Sequence, residues 1–184
     1  MLASQMASVA RPRPLGVTAG LTVLALLAAC SGGTPPDEWA GRVCAAMTPW
    51  RGQIDDLNAS AQRQVSAAAS PAETRAGLLE LLAGAETATE SARVAVAAAG
   101  TPDVEGGEEV ARQFVESLAG GRDAYAAART DLQALPTADA KAFYDGVVAV
   151  MGRLNDSYAR SAVDTTQLDS PGLREAFERA PQCR

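Results

Sequence analysis

Residues 107–135, GEEVARQFVESLAGGRDAYAAARTDLQAL, decide the fold. Val110, Phe114, Leu118, Gly121, Tyr125, Ala128, Leu132 and Leu135 recur every three or four positions. That period lays one apolar stripe along one side of a helix. Glu108 and Glu109 open the segment, where acids complement the positive end of the helix dipole. Pro136-Thr137 closes it.

The same period extends in both directions. Upstream, Leu78, Leu82, Ala85, Thr89, Ala92, Val96 and Ala99 form a second stripe. Ser70-Pro71-Ala72-Glu73 sets an N-cap, a proline at the first helical position and a capping-box glutamate before it. Gly100 and Pro102 stop it. Further upstream lie Trp39, Val43, Met47, Trp50, Ile54, Leu57, Ala61 and Val65. Downstream, Phe143, Val147, Val150, Leu154, Tyr158 and Ala162 repeat the pattern, and Ser170-Pro171 introduces a short helix holding Leu173 and Phe177. The spacing predicts helices over 38–68, 71–99, 107–134 and 138–164, each near 30 residues, or about 45 Å long. Matched helices with short connections predict an all-α fold, an up-down-up-down four-helix bundle with a short C-terminal helix, spanning 38–184. Alanine is frequent in the middle stripes and aromatic residues make up only 4% of the chain. Small side chains bury little area each, so this core needs a further source of stability.

The first 37 residues follow a different pattern. Residues 1 to 14 carry Arg11 and Arg13 and no acid, and 15 to 29, LGVTAGLTVLALLAA, are uncharged and apolar. That run is shorter than the roughly 20 residues a membrane-spanning helix needs. Positive charge, an apolar run and small residues before a cut site read as a signal peptide, 1–29. Met6 is an alternative start, since residues 1 to 5 add nothing to the signal. Leu27-Ala28-Ala29-Cys30 resembles the lipobox of bacterial lipoproteins. The resemblance implies that a diacylglyceryl group is added to the Cys30 sulfur and that the chain is cut before it. Acyl chains of palmitate type then anchor the mature protein at the outer face of the cytoplasmic membrane, since two chains suffice for stable anchoring. Residues 30–37 read as a lipidated, flexible leash of Gly, Pro and polar residues.

Cys44 and Cys183 remain, an even pair in an oxidising compartment. In an up-down-up-down bundle the chain after the fourth helix returns toward the start of the first, which lets Cys183 reach Cys44. Such a disulfide closes a loop of about 140 residues, for which chain entropy gives about 5 kcal/mol as an upper figure. The alternative is two free thiols.

Charge and composition narrow the function. Without residues 1–29 the chain has 14 basic and 22 acidic side chains, a net charge of −8. An acidic domain without a basic stripe is a poor partner for nucleic acid. The chain has no histidine, so it lacks the commonest general base and the commonest neutral metal ligand. No Gly-x-Ser-x-Gly elbow or phosphate-cradling loop occurs. Asp55-Asp56, Glu86 with Glu90, and Glu105 with Glu108 and Glu109 are acidic clusters that read as solvated helix faces. Asn58-Ala59-Ser60 and Asn155-Asp156-Ser157 match the glycosylation triplet, a match without weight in a bacterial lipoprotein. No cofactor, metal or catalytic set is expected.

Trp39 and Trp50, eleven residues apart, share one face of the first helix. They are bundle core or the lining of a ligand groove, and core is the preferred reading. Tyr125, Phe143 and Tyr158 read the same way, while Tyr144 lies off its stripe and is expected near the surface.

An early cysteine followed by a tryptophan (Cys44, Trp50) and the ending Ala180-Pro181-Gln182-Cys183-Arg184 are similar to small Ala-rich lipoproteins and secreted proteins of actinobacteria. The resemblance implies architecture and address, not activity. The expected function is a membrane-tethered, non-catalytic interaction module of the cell envelope with an envelope protein as partner. The alternative is a small-molecule or lipid carrier with a cavity inside the bundle.

Overall fold

The computed structural model describes residues 32–161, 168 and 170–184. Its helices are α1 (Pro36–Ala67), α2 (Pro71–Ala97), α3 (Gly107–Ala134), α4 (Ala140–Ser161) and α5 (Pro171–Arg179), followed by a 3-10 turn over Pro181–Cys183. The all-α bundle in up-down-up-down order, with a short helix after it, is the fold the stripes predict. Among the described residues, no helix is long and apolar enough to cross a membrane.

The local signals act as their chemistry requires. Ser70 Oγ accepts the Glu73 N–H at 3.3 Å, and Glu73 Oε2 accepts the Ala69 N–H at 2.7 Å. The reciprocal glutamate bond thus falls one residue before the cap. Gly100 and Gly106 hold φ of 79° and 72°, left-handed backbone on either side of the α2–α3 connection. The start of α4 falls at Ala140 rather than 138, because Asp139 caps it: its Oδ1 accepts the Ala142 N–H at 3.0 Å. Ala162, the last position of the fourth stripe, lies outside the described residues. Pro49 sits inside α1 without ending it. Buried Trp39, Val43 and Cys44 before it, and Ala61 after it, hold both halves against the bundle.

The stretch read as a leash is partly fixed. Thr34 N donates to Thr101 O at 2.7 Å, and Asp103 N donates to Thr34 O at 2.8 Å. Thr34 Oγ1 adds a bond to Ala99 O at 3.1 Å. The chain is therefore bound to the α2–α3 connection from Thr34 on, and α1 begins at Pro36.

Successive helices α1, α2 and α3 pack along their lengths, α4 packs on α3, and α5 with the final turn covers the start of α1. Helix α4 barely approaches α2 and does not close against α1. Return of the chain to α1 is accomplished by α5 instead. Cys44 Sγ and Cys183 Sγ lie 2.02 Å apart, at disulfide distance, with Cα atoms 5.0 Å apart.

Two main apolar clusters fill the bundle. At the α5 end Trp39, Val43, Val96, Phe114, Leu118 and Leu173 are buried together. Trp39 meets Phe114 and Phe177 edge-on at 5.4 and 5.8 Å between centroids, and the two phenylalanines stack at 5.7 Å. At the other end Leu82, Ala128, Leu132 and Val150 are buried with Leu78, Leu135 and Val147 against them. Between the clusters stand only small or polar buried residues: Ala85, Ala88 and Thr89 on α2, and Gly121 and Ala124 on α3.

Candidate functional site

The narrow middle of the bundle and the open side between α1 and α4 together make a cleft. It holds about 230 Å³ and is half open to solvent. Helix α1 supplies Ile54 and Asn58, and α2 supplies Leu81, Leu82 and Ala85. Tyr125 comes from α3; Met151, Leu154, Asn155 and Tyr158 come from α4. Stripe residues of all four helices line it, and α1 and α4 add Asn58 and Asn155 from beside their stripes. The floor is therefore aliphatic, and the mouth is polar.

The two tyrosines lie with ring centroids 6.3 Å apart. Partial burial pushes the Tyr125 phenol above its ordinary value, with the Tyr158 phenol adding to the shift. Burial does the same to Tyr158. The shift disfavours the phenolate at both positions. Tyr158 reaches α3 closely enough that a β-carbon at Gly121 would sit 3.6 Å from its ring. Behind this wall the Trp50 indole N–H donates to Thr89 Oγ1 at 3.0 Å, and that hydroxyl donates to Ala85 O at 2.7 Å. The inner wall is thus held by a hydrogen-bonded pair.

The sequence-predicted candidates fall elsewhere. Trp39 is wholly buried, its N–H donating to Gly100 O at 2.8 Å. Trp50 is half-buried behind the cleft and does not line it. The aromatic residues that do line it are Tyr125 and Tyr158, which their stripes placed in the core. They reach the surface because α4 stops short of α1. Phe143 is core as read, and Tyr144 is 45% exposed as its position off the stripe predicts. Asn58, Leu81, Met151 and Asn155 carry no sequence signal beyond lying beside a stripe. Leu27, Ala28, Ala29 and Cys30 lie outside the described residues.

The acidic clusters are spent on arginines or on solvent. Glu90 bonds Arg93 at 2.6 Å and Arg122 of α3 at 2.8 Å, and Glu86 bonds Arg129 at 3.0 Å. Asp55, Asp56, Glu105 and Glu108 are exposed. Among the described residues no group of three acids or cysteines is placed to hold a metal ion.

Compared with protein-family models, curated proteins and solved structures, the chain shows no significant match to any of them.

Proposed function

We propose that this chain is a membrane-tethered extracytoplasmic lipoprotein, a non-catalytic interaction module of the cell envelope held by acyl chains on Cys30. One observation carries the reading: Cys44 and Cys183 lie at bonding distance from each other. Of three cysteines, that pairing leaves Cys30 alone as a free thiol, at the end of the apolar run Leu15–Ala29. A bundle cross-linked between its first helix and its last turn suits an oxidising compartment. The likeness of Leu27-Ala28-Ala29-Cys30 to a lipobox, and of the whole layout to actinobacterial lipoproteins, supports the same address. For the partner, α4 offers a surface: Val148 is 74% exposed, one turn from Tyr144. An unburied aliphatic and aromatic pair on one helix face fits protein contact.

The test is metabolic labelling with an alkyne-tagged palmitate followed by membrane fractionation. Wild type is expected to be labelled and membrane-bound, and Cys30→Ser unlabelled and not retained by acylation. Processing and retention of Cys30→Ser just like wild type would falsify the address. A photo-crosslinker at position 148 in intact cells tests the module; capture of nothing beyond random neighbours removes that part.

The cleft favours a second reading, small-molecule binding. At about 230 Å³ it falls short of the several hundred cubic ångströms of a typical ligand cavity. That size supports a small cargo over a lipid.

A further inference from the structure

We infer that the cleft between α1 and α4 takes a small, uncharged ring compound bearing a hydroxyl or carbonyl group. The inference rests on the small-molecule reading above and names its ligand class. Three features of the cleft set that class.

Size comes first. A cavity of roughly 150 Å³ lined by aliphatic and aromatic side chains takes up benzene. The cleft, at about 230 Å³, has room for one or two fused rings. A membrane lipid or a peptide helix exceeds it.

Charge comes second. No Asp, Glu, Lys or Arg lines the cleft. The ionic groups next to the lining on α2 are Glu80, which accepts from Gln64 Nε2 at 3.1 Å, and Glu86, which is paired with Arg129. An ion entering an aliphatic floor of Ile54, Leu82 and Leu154 would lose hydration and gain no counter-charge.

Polar placement comes third. The Tyr125 hydroxyl and the Asn58 and Asn155 carboxamides make no hydrogen bond with any other described residue, and all stand around the aliphatic floor. A ring compound with one hydroxyl can rest its hydrocarbon on the floor and exchange a hydrogen bond with one of these groups. A bare hydrocarbon would leave them to water. The inner wall is already ordered by the Trp50–Thr89–Ala85 bonds, so little has to be fixed on binding.

The experiment uses the full ¹⁵N-labelled chain carrying Cys30→Ser, so that no acyl chain competes for probes. The readout is the side-chain NH₂ signals of Asn58 and Asn155, which report the cleft and not the apolar run near the N-terminus. The probes are 2-naphthol, 2-naphthoate, 2-naphthylmethylamine and dodecan-1-ol. Expected is a saturable shift with 2-naphthol, the two ionic analogues binding at least about tenfold more weakly because nothing offsets their dehydration. Asn155→Trp, a plug at an exposed helix position, should abolish the shift while the melting temperature holds. Equal or tighter binding of an ionic analogue, or preferred binding of dodecanol, overturns the ligand class and leaves small-molecule binding standing. No shift with any probe removes both. Signals that move with protein concentration alone would mean a second copy covers the cleft, and the inference fails.

Discussion

Trp50 on α1 and Thr89 on α2 are joined side chain to side chain, indole N–H to hydroxyl at 3.0 Å, where the two main core clusters meet. Thr89 is 1% exposed, and its own proton goes to Ala85 O. Thr89→Val keeps the shape and removes the acceptor, leaving the Trp50 N–H without its partner. The expected loss is about 1 kcal/mol, the low end of the penalty for an unpaired buried donor, because Trp50 is half-buried. Chemical denaturation of the variant beside Thr89→Ser checks it. The serine, which keeps the hydroxyl, should recover most of the bond, and equal losses in both would assign the effect to packing.

Two glycines should respond to alanine with opposite signs. At Gly107, the first residue of α3, an added β-carbon would sit 2.1 Å from the Pro102 carbonyl oxygen. Backbone must move, so Gly107→Ala should destabilise by about 1–3 kcal/mol. At Gly152, exposed inside α4, the same carbon meets nothing within 4 Å. Gly152→Ala should stabilise by roughly 0.5–1 kcal/mol through helix propensity. Thermal melts of the two variants decide, and a shift of the same sign in both contradicts the packing of the α2–α3 connection.

Periodicity carried the helices because each stripe is long enough to bury one face, and the starts at Ser70 and Ser170 and the stop at Gly100 are local chemistry. It could not place Trp39 and Trp50 in depth. Both lie on one stripe, yet Trp39 meets Phe114 and Phe177, while Trp50 faces the narrow middle and stays half-buried. The difference comes from α5, which covers only the start of α1. The cleft was illegible for the same reason. Tyr125 and Tyr158 repeat at core spacing, and only the gap between α1 and α4 turns them into lining. That gap is a property of helix placement, which no single stripe encodes.

Acid should weaken the α2–α3 seam through Glu90. Hydrogen bonds from Arg93 and then Arg122 hold its carboxyl down from the ordinary 4.5 to about 2. A carboxylate with a depressed folded value binds protons more readily unfolded, so its stabilisation is present above pH 4.5 and lost as pH falls toward 2. Solvent screens the pair and keeps the effect small. In melts at low salt, wild type should exceed Glu90→Gln above pH 5, and the gap should close between pH 4.5 and about 2. A gap that stays constant through that window would assign the contribution of Glu90 to something other than its charge.

Reduction should loosen the end of the bundle that α5 covers. The bond between Cys44 and Cys183 spans a sequence separation of 139, and its removal frees the unfolded chain from that closure. Chain entropy sets about 5 kcal/mol as the ceiling, and native bonds of this kind contribute about 2–5 kcal/mol. The Cys44→Ala/Cys183→Ala protein should therefore melt roughly 5–20 °C below wild type. Reduced wild type should match it. Leu173 and Phe177 still pack on Trp39 without the bond, so α5 is expected to stay docked at low temperature. Hydrogen exchange separates the two contributions: amides of α5 should exchange faster than those of α2 in the reduced protein. Uniform acceleration across both helices would mean that the bond supports the whole bundle rather than its α5 end.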